Sequence, residues 1–251
     1  MGSEMCIRDS LMVSYDDSEV DGLGLTTGDP EDRETNLPTS DDKVEDESLI
    51  VSLKLDYRFD SVTLSSITGY FDRDRERNTY DQIFSVVNSF VTIPAAGYSD
   101  RTFLQDSLTY EQFSQEFRLV SSLDGPFQYT AGVFYRDLNY EAGQATTCSA
   151  TYPLIGLPGE CDDEIFAALG LEYTTPPLVN DGEQISVFFE GEYSFNEQWT
   201  LIAGLRYHDE EIDLGAPSNP ILLNLQPLVL PEISETVTIE AWLPKVALEY
   251  T

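Results

Sequence analysis

Ile185-Ser186-Val187-Phe188-Phe189-Glu190-Gly191-Glu192-Tyr193-Ser194-Phe195-Asn196-Glu197-Gln198-Trp199-Thr200-Leu201-Ile202-Ala203-Gly204-Leu205-Arg206-Tyr207-His208 is the stretch that decides the fold. Ile185, Val187, Phe189, Gly191, Tyr193 and Phe195 alternate with Ser186, Glu190, Glu192 and Ser194. Trp199, Leu201, Ala203, Leu205 and Tyr207 alternate with Thr200, Gly204, Arg206 and His208. A period of two puts each set on one face of a strand, and the polar reversal around Asn196 and Glu197 joins the two strands as a hairpin. A tight turn there opposes Gly191 to Ala203, Phe189 to Leu205 and Val187 to Tyr207. The other face then carries Phe188 opposite Arg206, with Glu190 in diagonal reach of the guanidinium. A slip of one residue would mix the faces, so this register is strongly specified.

The same alternation extends outward. Leu49, Val51, Leu53, Leu55 and Tyr57 oppose Ser52, Lys54 and Asp56, with Ile50 as the exception. Phe127, Tyr129, Ala131, Val133 and Tyr135 oppose Gln128, Thr130, Gly132 and Arg136, with Phe134 as the exception. Weaker strands are predicted over 62–71, 113–121 and 237–250, with a stub at 11–15. Pro244 confines the last to an edge or a bulge. Short reversals at 57–61, 122–126 and 195–199 alternate with connections of roughly 16–48, 73–109, 141–182 and 213–235, far longer than a compact domain uses. Short on one side and long on the other is the pattern of outer-membrane barrels, with periplasmic turns opposite extracellular loops.

Composition bounds the rest. Forty-six acidic against thirteen basic residues give a formal charge of -33, which excludes a protein that tracks nucleic-acid phosphates. Apolar residues make up 41%, too many for a disordered acidic chain. The 14 Tyr, 13 Phe and 2 Trp suffice for interfacial belts, and Tyr57, Phe59, Phe127, Tyr193, Phe195 and Trp199 cluster at strand ends beside the short turns as girdle candidates. No run approaches the roughly 20 apolar residues of a spanning helix. Val187, Phe189, Leu201, Leu205 and Tyr207 are expected to face lipid. Lys54, Asp56, Glu116, Arg118, Arg136, Glu190, Glu192, Arg206 and His208 are expected to line the lumen.

At this point Leu64-Ser65-Ser66-Ile67-Thr68-Gly69-Tyr70, Phe113-Ser114-Gln115-Glu116-Phe117-Arg118-Leu119, residues 127–135 and 199–207, and the ending Leu243-Pro244-Lys245-Val246-Ala247-Leu248-Glu249-Tyr250 resemble, in this order, mid-barrel strands of TonB-dependent receptors. The resemblance covers most of residues 49–251. It implies about seven or eight antiparallel strands of a larger, 22-stranded, plugged barrel that imports large scarce nutrients such as ferric siderophores. The partners it implies are outer-membrane lipid and lipopolysaccharide, the nutrient, and the TonB complex acting through a plug domain that this chain lacks. Met1–Ser10 holds no apolar core of a signal peptide and resembles translated sequencing-adapter read-through. The expected division is therefore an artefactual segment 1–10 and a partial barrel domain 11–251. Two other readings stay open: a complete small outer-membrane barrel, and a secreted acidic β-sandwich for adhesion or carbohydrate binding.

Chemistry-bearing motifs are few. With His208 as the single histidine, and no phosphate loop, nucleophile elbow or zinc-peptidase motif, neither enzymatic activity nor a cofactor is expected. His208 reads as a wet rim residue. Asp17-Ser18-Glu19-Val20-Asp21-Gly22 imitates the start of a calcium loop but meets Gly28 where a bidentate Glu is required. Asp72-Arg73-Asp74-Arg75-Glu76-Arg77 puts three arginines on one side of an extended segment and three acids on the other. Lipopolysaccharide phosphates would suit those arginines, and cross-strand ion pairs are the plainer use. Cys148 and Cys161 fall in one long loop, in a disulfide-permissive compartment, and are expected to pair.

Overall fold

The computed structural model describes residues 7–21, 43–80, 102–148, 174–216, 219–223 and 226–250. Among these there is no helix. Eight strands form one antiparallel sheet in the order β1 (Ile7–Asp21), β2 (Lys43–Arg58), β3 (Val62–Tyr80), β4 (Thr102–Ser121), β5 (Phe127–Cys148), β6 (Thr174–Ser194), β7 (Trp199–Ala216) and β10 (Ile233–Tyr250). A separate hairpin, β8 (Asn219–Leu223) with β9 (Gln226–Leu230), lies between β7 and β10 in the chain. Among the described residues no second sheet faces the first, which overturns the sandwich alternative. β1 and β10 are opposite edges that do not pair with each other, so these eight strands do not close as a small barrel.

The hairpin register is the expected one: Gly191 opposes Ala203, Phe189 opposes Leu205, Val187 opposes Tyr207 and Phe188 opposes Arg206. The turn is closed by the Phe195 N–H donating to the Trp199 carbonyl at 2.9 Å, and by Asn196 Oδ1 accepting from the backbone of Gln198 at 2.9 Å and Trp199 at 3.0 Å. An asparagine that caps its own turn in this way pins the reversal. Pro244 lies in edge strand β10, where a missing N–H costs least.

The strands run longer than the alternation suggested, from 15 residues in β1 to 22 in β5. Segments 73–80, 102–109, 141–148 and 174–182, read as loop, are paired strand. Their polar and apolar residues no longer segregate cleanly, because ladder pairing continues above the height at which one face must be apolar. β1 likewise begins at Ile7, and its first four residues pair with Tyr57 to Lys54.

The three short turns fix the strand tilt. Thr63, Val120, Thr130, Glu190 and Gly204 lie on one line of cross-strand partners. That line passes roughly 2.5 residues above the β2–β3 turn, 5 above β4–β5 and 7 above β6–β7, so the register drops about 1.1 residues per strand. With turns at a common level, a rise of about 3.4 Å and a strand spacing of about 4.8 Å convert this to a tilt of roughly 38°, inside the range that closing a barrel demands.

The two faces differ in crowding as well as polarity. Ser65, Asp106, Gln184, Ser186 and Ile202, all on the charged face, are buried. Leu11, Val13, Ile185, Val187, Phe189, Leu205, Val246 and Leu248, on the other, stand open. A curved sheet crowds its concave side, so the charged face is the concave one.

Candidate functional site

All nine residues expected in the lumen share the concave face. They form short ladders. Lys54 meets Asp56 at 3.0 Å and Ser65 donates to the same carboxylate at 2.6 Å; Arg118 donates to Glu116 at 2.6 Å. Arg136 pairs with Glu210 at 2.5 Å. Pairs this wet contribute about 0–1 kcal/mol each, so they neutralise the wall more than they hold it. Glu190 does not reach Arg206 as its position suggested: Lys245 of β10 takes its carboxylate at 2.7 Å, and Arg206 donates to Ser186 Oγ at 3.1 Å. A third strand supplied the competitor that the hairpin alone could not show. No ion pair of Glu192 is found among the described residues.

His208 is not the wet rim residue of the sequence reading. Its Nε2 lies 3.2 Å from Glu210 Oε2, and its Nδ1 lies 3.2 Å from both Ser186 Oγ and Gln184 Nε2. Serine, histidine and carboxylate in this order evoke a nucleophile relay, but Ser186 is 0% exposed and already accepts from Arg206. No substrate can approach that hydroxyl, so the network is structural. Among the described residues no three ligands converge for a metal.

On the convex face the six girdle candidates gather at the turn end. Tyr57 and Phe59 rings meet at 4.5 Å, Tyr193 and Phe195 at 5.2 Å, and Trp199 and Tyr250 at 4.8 Å; Phe127 stacks on Tyr129, which stacks on Phe189. Val187, Phe189, Leu201, Leu205 and Tyr207 lie above them on the same face. The sequence reading missed a second ring. Tyr70, Tyr135 and Tyr207 lie roughly 10 residues above their turns, about 27 Å up at the tilt derived above. Each hydroxyl donates to the carboxylate two residues on: Asp72 at 3.2 Å, Asp137 at 3.2 Å and Asp209 at 3.3 Å. Tyr15 and Asp17 repeat the spacing on β1. The signal was present as a recurrent Tyr-x-Asp, with period two setting both residues on one face so that ring and carboxylate stand one rung apart.

The arginine run resolves against the lipopolysaccharide reading. Asp72, Asp74 and Glu76 point to the convex side, while Arg73, Arg75 and Arg77 are on the concave side. Arg73 grips Asp46 with two hydrogen bonds, at 2.8 and 2.5 Å, and Arg77 pairs with Asp106. The Arg73 guanidinium holds the Asp46 carboxyl below the usual range, with burial opposing it. These arginines are therefore turned away from any surrounding lipid. Asp17, Glu19 and Asp21, which imitate the start of a calcium loop, are β1 residues paired with β2. Cys148 ends β5 opposite Thr102, while Cys161 lies outside the described residues.

Residues 8–251 match the family described as TonB dependent receptor-like, beta-barrel. No curated protein sequence matches. Among solved structures, the ferric yersiniabactin uptake receptor FyuA from Yersinia pestis superposes with a TM-score of 0.66 at 10% identity, over 98% of this chain and 33% of that one. The ferric-catecholate import receptor Fiu from E. coli K12 superposes with a TM-score of 0.52 at 9% identity, over 97% of this chain and 39% of that one. The chain thus spans about a third of the receptors whose fold it shares. A sheet with a convex apolar face, a concave charged face and a barrel's shear, matched along nearly its whole length, belongs to the TonB-dependent receptor β-barrel family.

Proposed function

We propose that this chain is part of the wall of an outer-membrane receptor that takes up large, scarce nutrients such as ferric siderophores, and that the receptor itself has no enzymatic activity. The observation that carries this reading is the split between faces at a tilt near 38°. The convex face is apolar between two aromatic rings roughly 22 Å apart in height, close to the roughly 25 Å band of such barrels, and the concave face is lined with paired charges. Val187, Phe189, Leu201, Leu205 and Tyr207 would meet lipid, and the nine concave residues would meet water, plug or nutrient. The free edges of β1 and β10 would pair with further strands, since unpaired ladder groups are not tolerated in hydrocarbon. Energy would come from the TonB complex through a plug domain outside this chain. Residues 1–10 would be foreign to the native protein and 11–251 its barrel portion.

The test is uptake of radioactive ferric chelates by cells lacking their own receptors and expressing the receptor whose wall contains this sequence. Accumulation that requires TonB supports the proposal. Outer-membrane insertion without accumulation of any chelate would reject nutrient uptake.

A further inference from the structure

Charge is divided unequally between the two faces. Among the described residues every lysine and arginine except Lys43 lies on the concave side, and Lys43 is already taken by Glu19 at 3.2 Å and by Glu45. Acids occupy both sides. On the convex face they gather above the upper tyrosine ring, where Asp17, Asp72, Asp137 and Asp209 each follow a tyrosine by two residues. At about 2.7 Å of height per residue they stand roughly 5 Å above the ring, inside the headgroup layer that adds roughly 5–8 Å to each side of the hydrocarbon. The part of the convex face that would meet headgroups is therefore acidic.

The register adds a second, independent observation. Each of these aspartates has a glutamate directly opposite it: Asp17 faces Glu47, Asp72 faces Glu111, Asp137 faces Glu183 and Asp209 faces Glu240. The pairs recur at every second seam of the sheet, roughly 10 Å apart. Like charges directly opposite one another on a sheet repel, and among the described residues none of these carboxylates has an ion pair. What each pair does have is a phenol. The Tyr70 hydroxyl lies 3.2 Å from Asp72 and 3.1 Å from Glu111, and that of Tyr135 lies 3.2 Å from Asp137 and 3.5 Å from Glu183. A phenol has one hydrogen to donate, so one carboxylate of each pair is left without a donor. Two carboxylates beside an aromatic ring, with no third ligand converging on them, suit an ammonium group better than a bare metal ion.

We propose that the convex face above the apolar band is a docking surface for lipids whose headgroups carry an ammonium group, one headgroup to each facing pair of carboxylates. The ammonium donates to the carboxylate that the tyrosine leaves unserved, a charge-assisted hydrogen bond, and lies beside a ring that attracts cations to its face. On β7 and β10 that ring is doubled, because Trp242 stands 4.9 Å from Tyr207. A headgroup that ends in an anionic oxygen meets only like charge here, since the arginines that could receive it are on the other side of the sheet. This goes beyond nutrient uptake and rests only on the part of that reading in which the convex face meets lipid.

The test uses the full chain in vesicles of equal parts phosphatidylethanolamine and phosphatidylglycerol, its strand content checked by circular dichroism. Bromine is carried near the headgroup end of the acyl chains of one lipid or of the other, so the bilayer stays the same and only the quencher moves. In a Trp199→Phe chain, Trp242 reports the upper ring. Its quenching is expected to correspond to about threefold enrichment of phosphatidylethanolamine over phosphatidylglycerol, the size of a single wet ion pair, and to fall toward parity at high salt. In a Trp242→Phe chain, Trp199 in the lower ring should show no enrichment. Adding Asp209→Asn and Glu240→Gln, which keep shape and strand pairing but remove the charge beside Trp242, should abolish the preference. Glu249→Gln, on the concave side of the same strand, should leave it unchanged. Equal quenching by both lipids at low salt, or a preference that survives loss of Asp209 and Glu240, overturns the docking surface while bilayer contact and uptake stand. A preference for phosphatidylglycerol that needs calcium also overturns it, in favour of phosphate held through metal. Quenching by neither lipid overturns it together with the lipid-facing reading.

Discussion

Replacing Ala203 by arginine tests the assignment of faces with little interference from packing. Ala203 is on the convex side opposite Gly191 and Val246 and is itself exposed, so the longer side chain displaces no neighbour. It lies roughly 6 residues above the β6–β7 turn. At about 2.7 Å of height per residue this is roughly 16 Å up, midway between the lower ring at about 5 Å and the upper ring at about 27 Å. A cationic side chain on the lipid face at the midplane costs about 2–4 kcal/mol, which is roughly 30- to 1,000-fold in the folding constant. Ala247 supplies the control. It pairs with Ile202 on the concave face, one rung lower, and its change to arginine should cost within about 0.5 kcal/mol. The assay is urea unfolding of the chain in phospholipid vesicles, followed by tryptophan fluorescence. Equal penalties for the two substitutions, or a larger one at Ala247, would refute the argument.

Three further outcomes follow from particular contacts. Gly132→Ala would set a methyl 2.5 Å from the Phe188 ring and 2.6 Å from the Phe117 carbonyl, so it should destabilise by about 1–3 kcal/mol, with Phe188→Leu recovering only part because the carbonyl cannot withdraw. Arg73 lowers the carboxyl pKa of Asp46 in the folded state, so this pair's contribution is complete above the ordinary aspartate range near pH 4 and is lost as pH falls through the lowered folded value. Asp46→Asn should remove that segment of the acid-unfolding profile. Cys148 and Cys161 are proposed to form a disulfide, and intact mass under non-reducing conditions should be two hydrogens lighter than the reduced chain; two free thiols would reject the bridge.

Legibility in the sequence followed the physics of burial. Where one face must meet hydrocarbon, alternation is strict and the register could be read, as in residues 185–208, with Asn196 marking the reversal and Pro244 the edge. Above the upper ring neither face is bound by that rule. There β3 reads Asp72-Arg73-Asp74-Arg75-Glu76-Arg77, a perfect alternation of sign rather than of polarity, legible as an extended segment with cross-strand ion pairs but not as a continuation of the spanning strand. Ile50, an exception by period, is explained by the apolar rung it shares with Phe71. Phe134, the other exception, points inward between Glu116 and Ser186. The tyrosine ring escaped notice because each Tyr-x-Asp is unremarkable alone and gains meaning only when the register brings the copies to one height. The lone-histidine network escaped because its partners Ser186, Gln184 and Glu210 come together only through the β6–β7 pairing.

The chain's only two tryptophans, Trp199 in the lower ring and Trp242 beside Tyr207 in the upper, both stand on the convex face. Depth-dependent fluorescence quenching in vesicles containing brominated lipids, measured on Trp199→Phe and Trp242→Phe chains, therefore tests the central claim directly. Each remaining tryptophan is expected to be quenched by bromine near the headgroups more than by bromine at the chain ends, and only weakly by aqueous iodide. Strong iodide quenching of both tryptophans with no response to brominated lipid would contradict a convex face in contact with the bilayer.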